Sequence, residues 1–303
     1  MGTKPVRKHS PLLWVYLVVL LATGTTMQVV LEGRLQRPAA KPGVHWIQSP
    51  GLMRRLTVGF NAIWADIYWI RAVQYYGDTK LSLDEKKEYD QLYPLLDITT
   101  SLDPYFNIAY RFGSILLSEG YPNGPGNTDQ AIALLKKGIR EQPNKWQYYH
   151  DAGFVEYWWR QDAHAAAKWF LEAASKPNAP NWLEPLAASV LAEHGERDAS
   201  RALWSTLKET AEHDWIRKAA ERGLMQLDAE AHIEILEPYV QKFFDKYGRF
   251  PKGWQEMTGG PERWLRNLPR DPAGYIYQLD PVTGSITVAK DSPLFPLRRR
   301  IRG

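Results

Sequence analysis

Residues 153–175 read "GFVEYWWRQDAHAAAKWFLEAAS", with aromatic rings crowded around a glycine and a run of alanines. Phe154, Tyr157 and Trp158 stand at i, i+3 and i+4, so one helix face carries them. After the break at Gln161–Asp162, Trp169 and Phe170 fall on a returning helix. Asp162 is an N-cap residue type for that second helix, and His164 at its start is expected to be exposed. The stretch admits two readings: a cage of rings around a ligand, or the interior between two helices. The helical spacing on both sides of one break favours the interior.

The same texture extends in both directions. From about 59 to 247, apolar residues recur at helical spacing, broken by Pro, Gly and Asn at near-regular distances. "TDQAIALLKKGIREQPN" places Ala131, Leu135, Gly138 and Pro143 at offsets of 4, 7 and 12, and "HAAAKWFLEAASKPN" places Ala166, Phe170, Ala173 and Pro177 at 4, 7 and 11. Pro143 and Pro177 are 34 residues apart, and Ala199, Leu203 and Thr206 continue the pattern. A small residue lets a partner helix approach, a large one fills the adjoining gap, and Pro closes the helix. The expected hairpins are 59–77/84–102, 105–119/128–141, 146–160/162–175, 180–194/197–211 and 214–228/230–247.

With Gly113 in "AYRFGSILL" and Gly153 in "YYHDAGFVEY", this spacing resembles the tetratricopeptide repeat, whose period is also 34 residues. The match is degenerate: no repeat opens on Trp-x-x-Leu-Gly, and Gly113 to Ala131 spans 18 residues, which makes "GYPNGPGNT" an enlarged loop. The resemblance implies a mainly α chain, an α-α solenoid that binds peptide or helical segments of protein partners along a concave face. The candidate partner-binding residues there are Tyr110, Tyr149, Glu156, Arg160 and His194.

Helix 60–77 carries a broad apolar stripe of Phe60, Ile63, Trp64, Ile67, Ile70 and Val73. Asp66 and Arg71 interrupt it, and the bland reading is that each pairs with the next hairpin or with water. A membrane-proximal contact surface is the other.

Upstream, no charge occurs from Pro11 to Leu31, a stretch long enough to cross a hydrocarbon layer of about 30 Å. Lys4, Arg7 and Lys8 precede it and point to a cytoplasmic N-terminus; Arg34, Arg37 and Lys41 follow it and blunt that bias. An uncleaved signal anchor is expected, with a cleaved signal peptide ending near Ala22-Thr23-Gly24 as the rival. The expected organisation is 1–35 cytoplasmic N-terminus and transmembrane anchor, 36–58 linker, 59–247 helical repeat, and 248–303 a small α+β hairpin module with a basic tail. The bulk of the chain would then be periplasmic, at the outer face of an inner membrane.

Near Gly248 the helical period stops. Tyr275–Leu279 and Ser285–Val288 flank "DPVTG", a hairpin signal. Gly248, Pro251, Pro269, Asp271, Pro272, Gly274, Tyr277 and Gly284 resemble the end of type II secretion pseudopilins. Ala273 stands where that family has Trp, and the anchor lacks a Gly-Phe-x-x-x-Glu processing site. The resemblance implies a small antiparallel sheet and a link to secretion or pilus assembly. A β cap over the last helix pair is the alternative.

Charge and motifs narrow the function. The net charge of +4 hides a +5 segment at 1–41 and a +4 tail at 294–303, which leave the middle at −5. Such a middle is a poor nucleic-acid surface. With no cysteine there are no disulfides, thiolate chemistry or cysteine-ligated metals. No phosphate loop, His-Glu-x-x-His or Gly-x-Ser-x-Gly occurs, and His45, His150, His164, His194, His213 and His232 are scattered singly. No enzyme, cofactor or metal is therefore expected. The reading is a membrane-anchored scaffold, with a small-molecule or glycan binder using the aromatic surplus as the alternative.

Overall fold

The computed structural model describes residue 16 and residues 18–27, 49–259 and 262–297. It separates into two units, Met1–Trp46 and Ile47–Gly303. In the first unit residues 18–27 are helical. Among the described residues no helix is long and apolar enough to cross a membrane. Most of the expected anchor's flanks, residues 36–48 of the expected 36–58 linker and the basic tail from residue 298 lie outside the described residues.

The second unit is built from helices α1 (Pro50–Leu56), α2 (Asn61–Leu81), α3 (Leu92–Leu102), α4 (Asn107–Ser118), α5 (Thr128–Glu141), α6 (Trp146–Val155), α7 (Ala163–Ala174), α8 (Leu183–Glu193), α9 (Arg197–Thr210), α10 (Asp214–Tyr247) and α11 (Trp254–Gly259). A π turn, Glu156–Arg160, prolongs α6. Strands β1 (Gln278–Leu279) and β2 (Ile286–Thr287) pair antiparallel, with Gln278 opposite Thr287.

Side-chain register fixes how the helices lie. Gly113 meets Leu134, and Asn107 receives a hydrogen bond from Gln142 at 3.1 Å. Numbers rise along α4 as they fall along α5, so the two are antiparallel. Gly138 against Tyr148 and Arg160 Nε donating to Thr128 at 3.1 Å show the same for α5 and α6. Alternate helices are therefore parallel. Ties between them span similar offsets: Lys137 to Asp97 over 40 residues, Arg111 to Asp151 over 40 and Tyr157 to Glu193 over 36. From α2 to α10 each helix packs on the next, an arrangement compatible with an α solenoid, while α1 packs on α3.

Small residues make the close approaches. A Cβ on Gly138 would stand 3.0 Å from the Tyr110 ring, one on Gly153 2.6 Å from Phe170, and one on Gly223 2.6 Å from Trp204. Each glycine is thus the hollow that receives a neighbouring helix's large side chain. Caps set several boundaries: Asn127 accepts from the Gln130 amide at 3.1 Å, and Asp162 from Ala165 at 2.9 Å, as its N-cap character suggested.

Four corrections to the sequence reading concern boundaries and faces. The end of the expected 36–58 linker is helical: Pro50 opens α1 from the first helical turn, where its missing N–H costs nothing. The second helix of the first hairpin starts at Leu92 rather than 84, because Ser82 and Asp84 close a turn and Tyr75 pins the Glu88 carbonyl at 2.6 Å. The expected pair 214–228/230–247 is one 34-residue helix, α10. Nothing in "LMQLDAEAHIEIL" breaks a helix, and the packing demands none. On α2 the buried face is Ala65, Tyr68, Ala72 and Tyr76, whereas Phe60, Ile63, Ile70 and Val73 are exposed.

The C-terminal half of α10 carries Ala229, Ile233, Leu236, Val240 and Phe243 into a separate core with Trp254, Met257, Tyr277, Ile286, Val288 and Leu294. Gly248, at φ +68°, ends α10 in the left-handed conformation that favours glycine. Gln226 donates to the Leu294 carbonyl at 3.0 Å, and Trp254 to the Tyr277 carbonyl at 2.6 Å. The hairpin occurs at the expected turn but is shorter than read, since Tyr275–Tyr277 contributes only the Arg270–Ile276 bridge. Asp271 supports the turn before it, accepting from Ala273 and Tyr275 amides at 3.0 and 2.9 Å.

Candidate interaction surface

Five residues were expected to line a binding face. Tyr110 is fully buried, its ring 5.3 Å from that of Tyr148 and its hydroxyl donating to the Thr100 carbonyl at 3.3 Å. Tyr149 is also buried and donates to the Pro143 carbonyl at 2.9 Å. Both belong to the interhelix core: Tyr110 fills the hollow beside Gly138, and Tyr149 packs in the cluster of α6, α7 and α8 beside Trp169.

The other three cluster around the π turn. Glu156 is buried and receives Arg160 Nη1 at 3.2 Å, while Arg160 also pairs with Asp129 on α5. Burial pushes the Glu156 carboxyl up, and Arg160 partly offsets it. His194 ends α8, with Nδ1 3.1 Å from the Val190 carbonyl and Nε2 buried without a hydrogen-bond partner. Tyr157 joins the two ends: its ring packs edge-on at 5.5 Å from His194, and its hydroxyl donates to Glu193 at 2.9 Å. Burial, reinforced by Glu193, pushes the Tyr157 hydroxyl up to about 12. His164 is exposed, as expected, 3.0 Å from Glu196.

Because the folded Glu156 carboxyl titrates above its unfolded value, ionising it costs stability as pH rises through that interval, and below both values there is no difference. Glu156→Gln should therefore raise the melting temperature at pH 7, with the gain vanishing under acid conditions where wild type is protonated. Thermal melts at several pH values measure this. A loss at pH 7 would mean that the Arg160 pair outweighs the burial.

The surface the sequence missed lies on the first helices. On α4, Ile108, Phe112 and Ile115 are exposed, and on α6 Phe154 and Trp158, the last at 59%. The rings of Phe154 and Trp158 stack nearly parallel, 6.1 Å apart and 11° from coplanar. Arg111 and Asp151 face each other across these parallel helices, with contacts of 2.5 and 3.1 Å. Ile108, Phe112 and Ile115 stand at −3, +1 and +4 from Arg111; Phe154 and Trp158 stand at +3 and +7 from Asp151. At about 100° per residue these displacements rotate oppositely about the two axes. On parallel helices facing one another, opposite rotations bring the two rows to the same side of the layer.

The sequence signal was present in the i, i+4, i+7 spacing of 108, 112 and 115. It was indistinguishable from a core stripe without knowing that 109, 110, 113 and 117 take the core. Phe154 and Trp158, read as interior, point outward because Ala152, Gly153 and Val155 hold the packed face and the π turn shifts the phase after it.

Among the described residues no group of three or more His, Asp or Glu could hold a metal ion. No protein-family model matches the chain, no curated protein matches it, and no solved structure matches its fold.

Proposed function

We propose that this chain is a membrane-anchored scaffold of the tetratricopeptide type, an α-α solenoid that holds a protein partner at the outer face of an inner membrane. The observation that carries the reading is the shared apolar row of Ile108, Phe112, Ile115, Phe154 and Trp158. Exposed rings grouped on one side and flanked by an ion pair suit a segment of a partner that buries an apolar edge. The parallel stacking of alternate helices at a 36- to 41-residue offset supports the repeat. The uncharged stretch 11–31, preceded by Lys4, Arg7 and Lys8, supports the anchor and a periplasmic body. The C-terminal hairpin with its Asp271 turn supports a place in an envelope, secretion or pilus-related assembly.

The test is crosslinking and mass spectrometry of the full chain in its own membranes, wild type against Phe112→Asp with Trp158→Asp. Both side chains are solvent-facing, so melting should change little. Crosslinked partner peptides mapping to α4 and α6 should disappear in the double variant. Peptides that persist unchanged, or that map elsewhere, would remove the reading. A tryptophan emission shift with sugars or small molecules, and no partner, would instead establish the ligand-binding alternative.

A further inference from the structure

The corner between α1 and α2 is unlike the rest of the surface. Leu52, Leu56, Phe60 and Ile63 are exposed there, and Val58 is 81% exposed. Val58 has φ +48°, followed by Gly59 at φ +90°. A β-branched residue rarely adopts left-handed backbone, and a site that holds it there usually has a use for the geometry. The effect is to hold Val58 out at the tip. The tip is braced from below: Met53 and Thr57 are buried, the Thr57 hydroxyl donates to the Arg54 carbonyl at 3.0 Å, and the Phe60 amide to the Thr57 carbonyl at 2.9 Å.

Along the chain that leads into and through this corner the charge has one sign. From Gly33 to Ala65 there is no acidic residue, while Arg34, Arg37, Lys41, Arg54 and Arg55 fall in that interval. Arg54 and Arg55 are exposed on α1, in the turns between Leu52 and Leu56. Apolar side chains at a tip flanked by two arginines match a bilayer interface carrying anionic headgroups, which takes the chains into its acyl boundary and the guanidiniums at its phosphates. Position along the chain agrees. Only 17 residues lie between Leu31 and Ser49, a reach of roughly 60 Å even fully extended.

We infer that the α1–α2 corner is a membrane-docking site, in which Val58, Phe60, Leu52 and Leu56 enter an anionic lipid interface and Arg54 and Arg55 pair with its phosphates. This rests on the proposed anchorage through 11–31 and adds that the folded body lies against the bilayer instead of hanging from a free tether.

The absence of cysteine makes the site directly readable. Full chain carrying Val58→Cys, labelled with an environment-sensitive dye, is reconstituted in phosphatidylglycerol–phosphatidylcholine vesicles. Lys168→Cys, on the exposed side of α7, serves as the reference. The label at 58 should be blue-shifted and quenched by nitroxide-labelled lipid, and the label at 168 should not. Arg54→Glu with Arg55→Glu should abolish the difference. If the chain floats with the vesicles while both labels respond alike, docking is wrong and anchorage stands. A chain that does not float with the vesicles overturns both. A label at 58 shielded from aqueous iodide yet untouched by lipid nitroxide would show a protein covering the corner, and also overturns the inference.

Discussion

Gly153→Leu should cost about 3 kcal/mol or more, at or beyond the upper end of what overpacking a core usually costs. The first added carbon alone would lie 2.6 and 2.7 Å from the Phe170 ring and 3.1 Å from the Ala166 carbonyl. Neither neighbour can withdraw easily: Phe170 is fully enclosed, and Ala166 belongs to the backbone of α7. Helix propensity works the other way, since leucine is the better helix former by about 0.8 kcal/mol, but that gain is smaller than the clash. In a domain of this size the balance corresponds to a melting temperature lower by very roughly 6–12 °C. Circular dichroism melts would measure it. A second substitution decides the cause. Phe170→Ala in the Gly153→Leu background should recover part of the loss, although Phe170→Ala alone is destabilising, because leucine then occupies the space the ring leaves. If the two losses simply add, the close approach of α6 to α7 is not what glycine is there to permit.

Trp204→Ala should be as severe, about 3–5 kcal/mol. Trp204 is 1% exposed and among the largest fully buried side chains. Its indole lies on Gly223 of α10 and packs in a cluster with Ala188, Ala192, Leu207, Ile216, Ala220 and Leu227. Alanine would leave a void bounded by three helices, α8, α9 and α10, whose antiparallel and parallel ties limit collapse into it. Trp204→Phe retains much of the volume and should lose less. Denaturant unfolding of both variants gives the comparison. Near-equal stability of Trp204→Ala and wild type would show that α9 and α10 close around the site, contradicting the tight Gly223 contact.

Much of the fold was legible because small and large residues alternate at helical spacing, and the structure uses that alternation directly. Gly113, Gly138 and Gly153 each receive a large side chain from another helix. What resisted reading was direction. Tyr110 looks like a binding residue and is core; Phe112, two positions on, looks like core and is exposed. Hydrophobicity cannot separate them, since both are large apolar side chains and the choice depends on where α5 and α6 sit. The same holds for α2, whose aliphatic stripe is stronger than the Ala65, Tyr68, Ala72, Tyr76 face it actually buries. The join at residue 229 failed for a simpler reason: a repeat length was projected onto a segment holding no breaker, and Pro238, the one residue that could interrupt α10, lies inside the helix.

Pro238 leaves the carbonyl one turn before it without its usual amide, which makes it the natural place for α10 to flex. The residues that enter the hairpin module's core lie on both sides of it, Ile233 and Leu236 before, Val240 and Phe243 after. The module is thus bound across the weak point like a splint, so that a pull on the C-terminus is passed along α10 toward Trp204 instead of being spent in bending.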